Sequence, residues 1–148
     1  MVPRRLRIER VEGRLTAWYI YRGGDARGPL HGRFDHDARP LAGSPEYPIQ
    51  VGVAVPLLEP GLDGLPQEHE LPALDEIEKV IVGIAETDAV LVGVISTAGV
   101  REFVLYTGDG EWLEAYHNAL SAAIESHEVQ MMARRDPEWT IYRAFVKT

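Results

Sequence analysis

The sequence predicts an α+β fold, and three observations carry that prediction. From Tyr47 to Leu58 the bulky Ile49, Val51, Val53 and Val55 alternate with Gln50, Gly52 and Ala54, the period of a half-buried strand. From about Glu70 the period changes: Leu74, Ile77, Ile81 and Ile84 recur at spacings of three and four, as on one face of a helix. The two periods then repeat, in two apolar runs around a short turn, a second helical stripe and a last strand-like run.

Taken in order, Arg14 to Tyr21 is rich in aromatic and β-branched residues and stops at Gly23-Gly24-Asp25, which predicts a strand ending in a turn. A weaker strand over Leu30–Phe34 completes an N-terminal hairpin, and the proline-rich stretch from Arg39 to Pro48 reads as a loop. Pro56 and Pro60-Gly61-Leu62-Asp63-Gly64-Leu65-Pro66 end the next strand. Glu70, Asp75, Glu76 and Glu78 load the beginning of the helix that follows, where the macrodipole favours negative charge. Ala89–Ser96 is almost wholly apolar, the pattern of a central strand covered on both faces, and Arg101–Thr107 alternates Phe103 and Leu105 against Glu102, Val104 and Tyr106. The intervening Thr97-Ala98-Gly99 predicts an antiparallel hairpin. Asp109 stands where an N-cap belongs, before Trp112, Leu113, Tyr116, Leu120 and Ile124 at helical spacing. Glu128–Ala133 reads as a short strand, and Asp136-Pro137-Glu138 as the start of a terminal helix with Trp139, Tyr142, Phe145 and Val146 on its apolar face.

The order from residue 47 onward is β-α-β-β-α-β. Right-handed crossovers turn it into a ferredoxin-like sandwich, a four-stranded antiparallel sheet with both helices on one face. One α+β domain over 1–148 follows, with a hairpin extension at 1–46, the ferredoxin-like core at 47–134 and a C-terminal helix at 135–148. The other sheet face needs a cover, and the aromatic N-terminal strand and the Trp139 helix are the available material.

Composition narrows the function classes. With 148 residues, 45% of them hydrophobic and 26% charged, the chain is long enough for one continuous core and too apolar for disorder. It has no cysteine, hence no disulfide framework, thiolate metal site or cysteine nucleophile, which fits a reducing cytoplasm. There is no apolar run of the length a signal peptide or membrane span needs. The net charge of −8 is uneven: residues 1–40 carry nine arginines against five acidic residues, a balance of +4, and the rest carries −12. Nine acidic residues between Glu59 and Asp88 face only Lys79. A surface of that sign repels phosphate backbones, which argues against direct nucleic-acid binding and for a basic protein partner.

His31-Gly32-Arg33-Phe34-Asp35-His36-Asp37 gathers two imidazoles and two carboxylates, yet the spacing matches no defined metal site, so no metal or cofactor is expected. Asp109 and His117 lie about 12 Å apart along one helix, too far for a hydrogen-bonded dyad. The four serines sit in no nucleophile-elbow context, and the short glycine-rich pieces lack the lysine of a phosphate loop. No catalytic residue is assigned. The residues expected to bind protein are Glu70, Asp75, Glu76 and Glu78, as an acidic helix face, and Trp112, as an exposed aromatic anchor.

Four motifs in sequence add a resemblance: Trp18-Tyr19-Ile20-Tyr21, Gly64-Leu65-Pro66 before an acidic helix, Arg101-Glu102-Phe103-Val104-Leu105-Tyr106-Thr107, and Asp136-Pro137-Glu138-Trp139-Thr140-Ile141-Tyr142. Together they resemble the bacterial family called domain of unknown function 695, from about Leu15 to Val146. That family has no established activity, so the resemblance implies no catalytic residues. Some relatives look like regulator-of-ribonuclease-E-type domains, which act by binding protein, and the resemblance therefore implies a protein-binding role. The expectation is a non-enzymatic interaction or regulatory module with an acidic surface. The alternative is a small enzyme or ligand binder with a pocket near the aromatic N-terminal strand and the Tyr106–His117 region. An uncovered sheet face would leave self-association open.

Overall fold

The computed structural model describes residues 7–11, as backbone, and residues 17–147. The strands are β1 (Arg7–Val11), β2 (Trp18–Asp25), β3 (Gly28–Asp35), β4 (Ile49–Pro56), β5 (Ala89–Thr97), β6 (Val100–Thr107) and β7 (Gln130–Arg135). The helices are α1 (Leu71–Ala85), α2 (Leu113–Ala123) and α3 (Thr140–Phe145), with 3₁₀ turns at His36–Leu41 and Glu68–Glu70. Among the described residues seven strands join into one antiparallel sheet in the order β1-β2-β3-β5-β6-β4-β7. The fold is α+β.

Each sheet face has its own core. The alternation in β4 places Val51, Val53 and Val55 on one face beside Phe103 and Leu105, under Leu74, Ile77 and Ile81 of α1 and Tyr116 and Leu120 of α2. Tyr116 also donates its hydroxyl to the Ile81 carbonyl at 2.7 Å, tying the two helices together. On the opposite face Phe34, Val104 and Tyr106 pack under α3. Phe34 stacks on Phe145 at 4.3 Å between ring centroids, and Tyr106 on Trp139 at 4.0 Å. Each large buried side chain of this kind removes enough apolar surface to be worth about 1.5–3 kcal/mol.

Several expectations are corrected. The N-terminal hairpin covers no face; it lengthens the sheet, because β3 pairs with β5. Gly93 makes this pairing fit: it lies opposite Phe34, whose ring occupies the place a Cβ would take. β2 does not stop at Gly23-Gly24-Asp25 but pairs through them to Gly28. The predicted strand start from Arg14 lies outside the described residues. The last strand runs from Gln130 to Arg135, two residues later than its pattern suggested.

The helix starts also shift. α2 begins at Leu113 with Trp112 as its cap residue, while the Asp109 carboxylate accepts from the Glu111 amide at 2.9 Å in the preceding turn. α3 begins at Thr140, because Trp139 adopts a left-handed conformation with φ 58° and ψ 48°. The capping chemistry of Asp136 survives the shift: its carboxylate accepts from the Thr140 amide at 3.0 Å and the Thr140 hydroxyl at 2.8 Å. A left-handed tryptophan costs about 1–3 kcal/mol. Full burial, the stack on Tyr106 and an indole N–H donated to the Tyr47 carbonyl at 2.8 Å offset it. Among the described residues no helix is long and apolar enough to cross a membrane.

Candidate functional site

The surface that combines acidic and apolar exposure is built on a buried hydrogen-bonded brace. Glu70 and His127 are only 5% and 6% exposed. His127 donates Nε2–H to Glu70 Oε2 at 2.7 Å, and the Ser126 hydroxyl meets His127 Nδ1 at 2.9 Å. Glu70 also accepts from the backbone amides of Leu58 at 2.9 Å and Glu59 at 3.2 Å. Burial alone would raise the Glu70 pKa, but the Leu58 amide, His127 and the Glu59 amide together hold it below the ordinary glutamate value. The composition is that of a Ser-His-Glu triad, but the chemistry differs. The carboxylate has committed its acceptor sites to the chain that follows β4, and imidazole and carboxylate are both shut away from solvent.

What the brace holds is the loop between β4 and α1. The loop is also fastened to the β5–β6 turn, where the Leu57 amide donates to the Gly99 carbonyl at 2.9 Å and the Gly99 amide to the Gly64 carbonyl at 2.8 Å. That turn has positive φ at both Ala98 and Gly99, the arrangement of a tight two-residue hairpin. Gly64 permits the contact, since at φ 81° a side chain is disfavoured and a Cβ would stand 3.1 Å from the Ala98 backbone. Inside the loop Gly61 donates to the Leu65 carbonyl and Gly64 to the Gly61 carbonyl, both at 2.9 Å. Leu62 stands at the tip of this cross-braced loop, fully exposed, and Leu58 is 61% exposed.

The residues expected to form the binding surface separate. Asp75 and Glu76 are exposed on α1, as anticipated. Glu70 is the buried member of the brace and is not on that face, a correction with a physical reason: its carboxylate serves the Leu58 and Glu59 amides. Glu78 is half-buried and ion-paired to Arg33 of β3. Trp112 is half-buried too, with its indole N–H shared between Thr107 Oγ1 and the Asp109 carbonyl at 3.1 Å, so it is tied inward rather than offered as an anchor. The exposed leucines and the acids beside them, Glu59, Asp63 and Glu68, carried the missed signal: a leucine between two proline-glycine turns has no periodic partner to bury against.

The other sequence candidates are dispersed. His36 meets the Tyr21 hydroxyl through Nε2 at 2.5 Å, Asp35 accepts from the Asp37 amide, and His31 is exposed. Among the described residues no group of three or more His, Asp or Glu is arranged to hold a metal ion. His117 bonds the Val129 carbonyl through Nε2 at 3.0 Å. Tyr106 lies in the core on the α3 face, where burial first and then its bond to Asp136 push its pKa upward. Tyr106 and His117 therefore form no common site. Beside β2 two open grooves do exist: one of about 540 Å³ lined by Trp18, Arg33, Tyr47, Glu78 and Val90 among others, and one of about 170 Å³ that includes Ile20, Arg33 and Arg101.

The model of a family of unknown function, DUF695, matches residues 16–146. The chain belongs to that family. The DUF695 match covers every strand and helix described above except β1. No curated protein and no solved structure matches the chain.

Proposed function

We propose that this DUF695 chain is a non-catalytic protein-interaction module that takes a basic, partly apolar segment of a partner on the β4–α1 loop and the adjoining acidic turns of α1. The observation that carries the reading is Leu62, held in solvent at the tip of a loop that is fastened at both ends. A preformed loop loses little conformational freedom on binding, so an apolar side chain it presents converts contact into affinity efficiently. Asp75 and Glu76, with Glu59, Asp63 and Glu68, supply the charge that steers a basic partner. The order β7-β4-β6-β5, with α1 and α2 packed on one face, supports a ferredoxin-like scaffold beneath this surface. A cytoplasmic setting belongs to the same reading and is supported by the absence of cysteine.

The test is a photo-crosslinking residue at position 62, used in native lysate at physiological salt. A basic protein should be captured, and capture should be weakened in Leu58→Ser and in Asp75→Asn/Glu76→Gln. Capture that is indifferent to all three substitutions, or absent, would sink the proposal. A second reading, a ligand site beside the aromatic N-terminal strand, is favoured by one observation: Trp18 and Ile20 of β2 each line a groove.

A further inference from the structure

The strand register places four side chains in a row that the sequence does not reveal. Arg22 of β2 pairs with His31 of β3, His31 with Ser96 of β5, and Ser96 with Arg101 of β6. Directly paired residues share a sheet face and adjacent strands lie about 4.8 Å apart, so the row crosses four neighbouring strands. Arg33 lies two residues along β3 from His31 and so on the same face. The small groove of about 170 Å³ is lined by Ile20, His31, Gly32, Arg33, Val94, Ser96 and Arg101, none of them acidic.

Of the two arginines that line the groove, one is ion-paired and the other is not. Arg33 is pinned by its ion pair with Glu78 and by the Trp18 ring, which its guanidinium overlies at 5.0 Å. Arg101 donates Nε–H to Ser96 Oγ at 3.0 Å and makes no ion pair among the described residues. Ser96 is 2% exposed, and its own hydroxyl proton has no acceptor among the described residues. Desolvation and then the charge of Arg33 lower the Arg101 pKa, with Asp75, Glu78 and Glu70 acting the other way. His31 is lowered by burial and by Arg22, with Asp63 acting the other way. Like charges gathered on one face repel one another, the more so where burial keeps water away. A fold that keeps several together, with an unsatisfied hydroxyl between them, departs from local consistency in the way binding sites do.

The geometry points to a binding site for a small phosphate-type oxyanion on Arg101, Ser96, His31 and Arg33. This names a ligand class for the groove beside β2, whose lining comes from the sheet strands and not from α1 or the β4–α1 loop. Guanidinium forks match phosphate oxygens, and donors arriving from three different strands suit a tetrahedral group better than a planar carboxylate, which one arginine can satisfy. At about 170 Å³ and open to solvent, the groove has room for a group of phosphate size.

The experiment is titration calorimetry of the full chain at low ionic strength with inorganic phosphate, phenyl phosphate and acetate as probes. Phosphate or its ester should bind at least tenfold more tightly than acetate. Arg101→Gln should reduce phosphate affinity by tenfold or more, His31→Gln by several-fold, and Arg27→Gln, at the β2–β3 turn, not at all. Tighter binding of phenyl phosphate than of phosphate would assign the site to a monoester whose body lies along the Trp18 groove. Equal binding would assign it to the free anion. If Arg101→Gln does not fold, exposed His31→Gln carries the test alone. Absence of binding, equal binding of acetate, or unchanged affinity in His31→Gln would overturn the proposal, and none of these results bears on the crosslinking test at position 62.

Discussion

The two halves of the sheet's helical face are built from similar strands and have different fates. Over β4, β6 and the first part of β5, α1 and α2 bury Val51, Val53, Phe103 and Leu105 completely or nearly so. Over β2, β3 and the last part of β5 no helix packs among the described residues, Ile20 is 42% exposed and the cationic row crosses the surface. In the covered half the polar groups near the core are spent on structure: Glu70 on two amides and an imidazole, Tyr116 on a helix carbonyl. In the open half the arginines are positioned with spare donors. The difference shows where selection for packing ends and where selection for contact with another molecule can begin.

The contrast can be broken most directly by truncation. Phe103→Ala, in the covered half, should cost about 3–5 kcal/mol in urea unfolding, whereas Ile20→Ala, in the open half, should stay within about 0.5 kcal/mol. Comparable losses at both positions would mean that the open half is core after all. A smaller effect is expected at the brace. His127→Ala leaves a buried carboxylate with one donor fewer and should cost about 2 kcal/mol, with proteolytic cleavage appearing first between residues 57 and 66. Cleavage elsewhere first would detach the brace from the loop it is argued to hold.

The smallest predicted effect is a pH dependence. Glu70 and Asp136 have pKa values lowered from 4.5 and 3.8, in each case because hydrogen bonds to the carboxylate outweigh burial, which acts the opposite way. Their stabilisation is present in full above those ordinary values and is lost as pH falls through the lower folded ones. The urea midpoint should therefore decline as the pH drops below about 4.5, and Glu70→Gln/Asp136→Asn should flatten that decline. An acid limb of unchanged slope in the double variant would show that other groups set it.

Much of the covered half was legible because its periods are local. Val51, Val53 and Val55 read as a strand face, and Leu74, Ile77 and Ile81 as a helix stripe, and the structure packs them against each other. Asp136 was legible as a capping residue, but the helix start was displaced because Trp139 takes a conformation supported by distant contacts, its stack on Tyr106 and its bond to the Tyr47 carbonyl. β1 was not legible, since Arg-Ile-Glu-Arg-Val at a sheet edge is held by backbone pairing to β2 and carries little apolar pattern. Glu70 was misread for a similar reason: its partner His127 is 57 positions away, and acids before a helix have a sufficient local explanation. The cationic row depends on register across four strands, and no window of sequence contains it.

The α3 contacts carry a consequence for synthesis. Tyr142 donates its hydroxyl to the Asp35 carbonyl across 107 positions of sequence, and Phe145 lies flat on Phe34. Chains emerge from the ribosome from the N-terminus onward, so Phe34 and Tyr106 are made long before their covering residues. Until α3 has emerged, that face of the sheet remains open, and the nascent chain carries Phe34 and Tyr106 uncovered while it waits for Trp139 and Phe145.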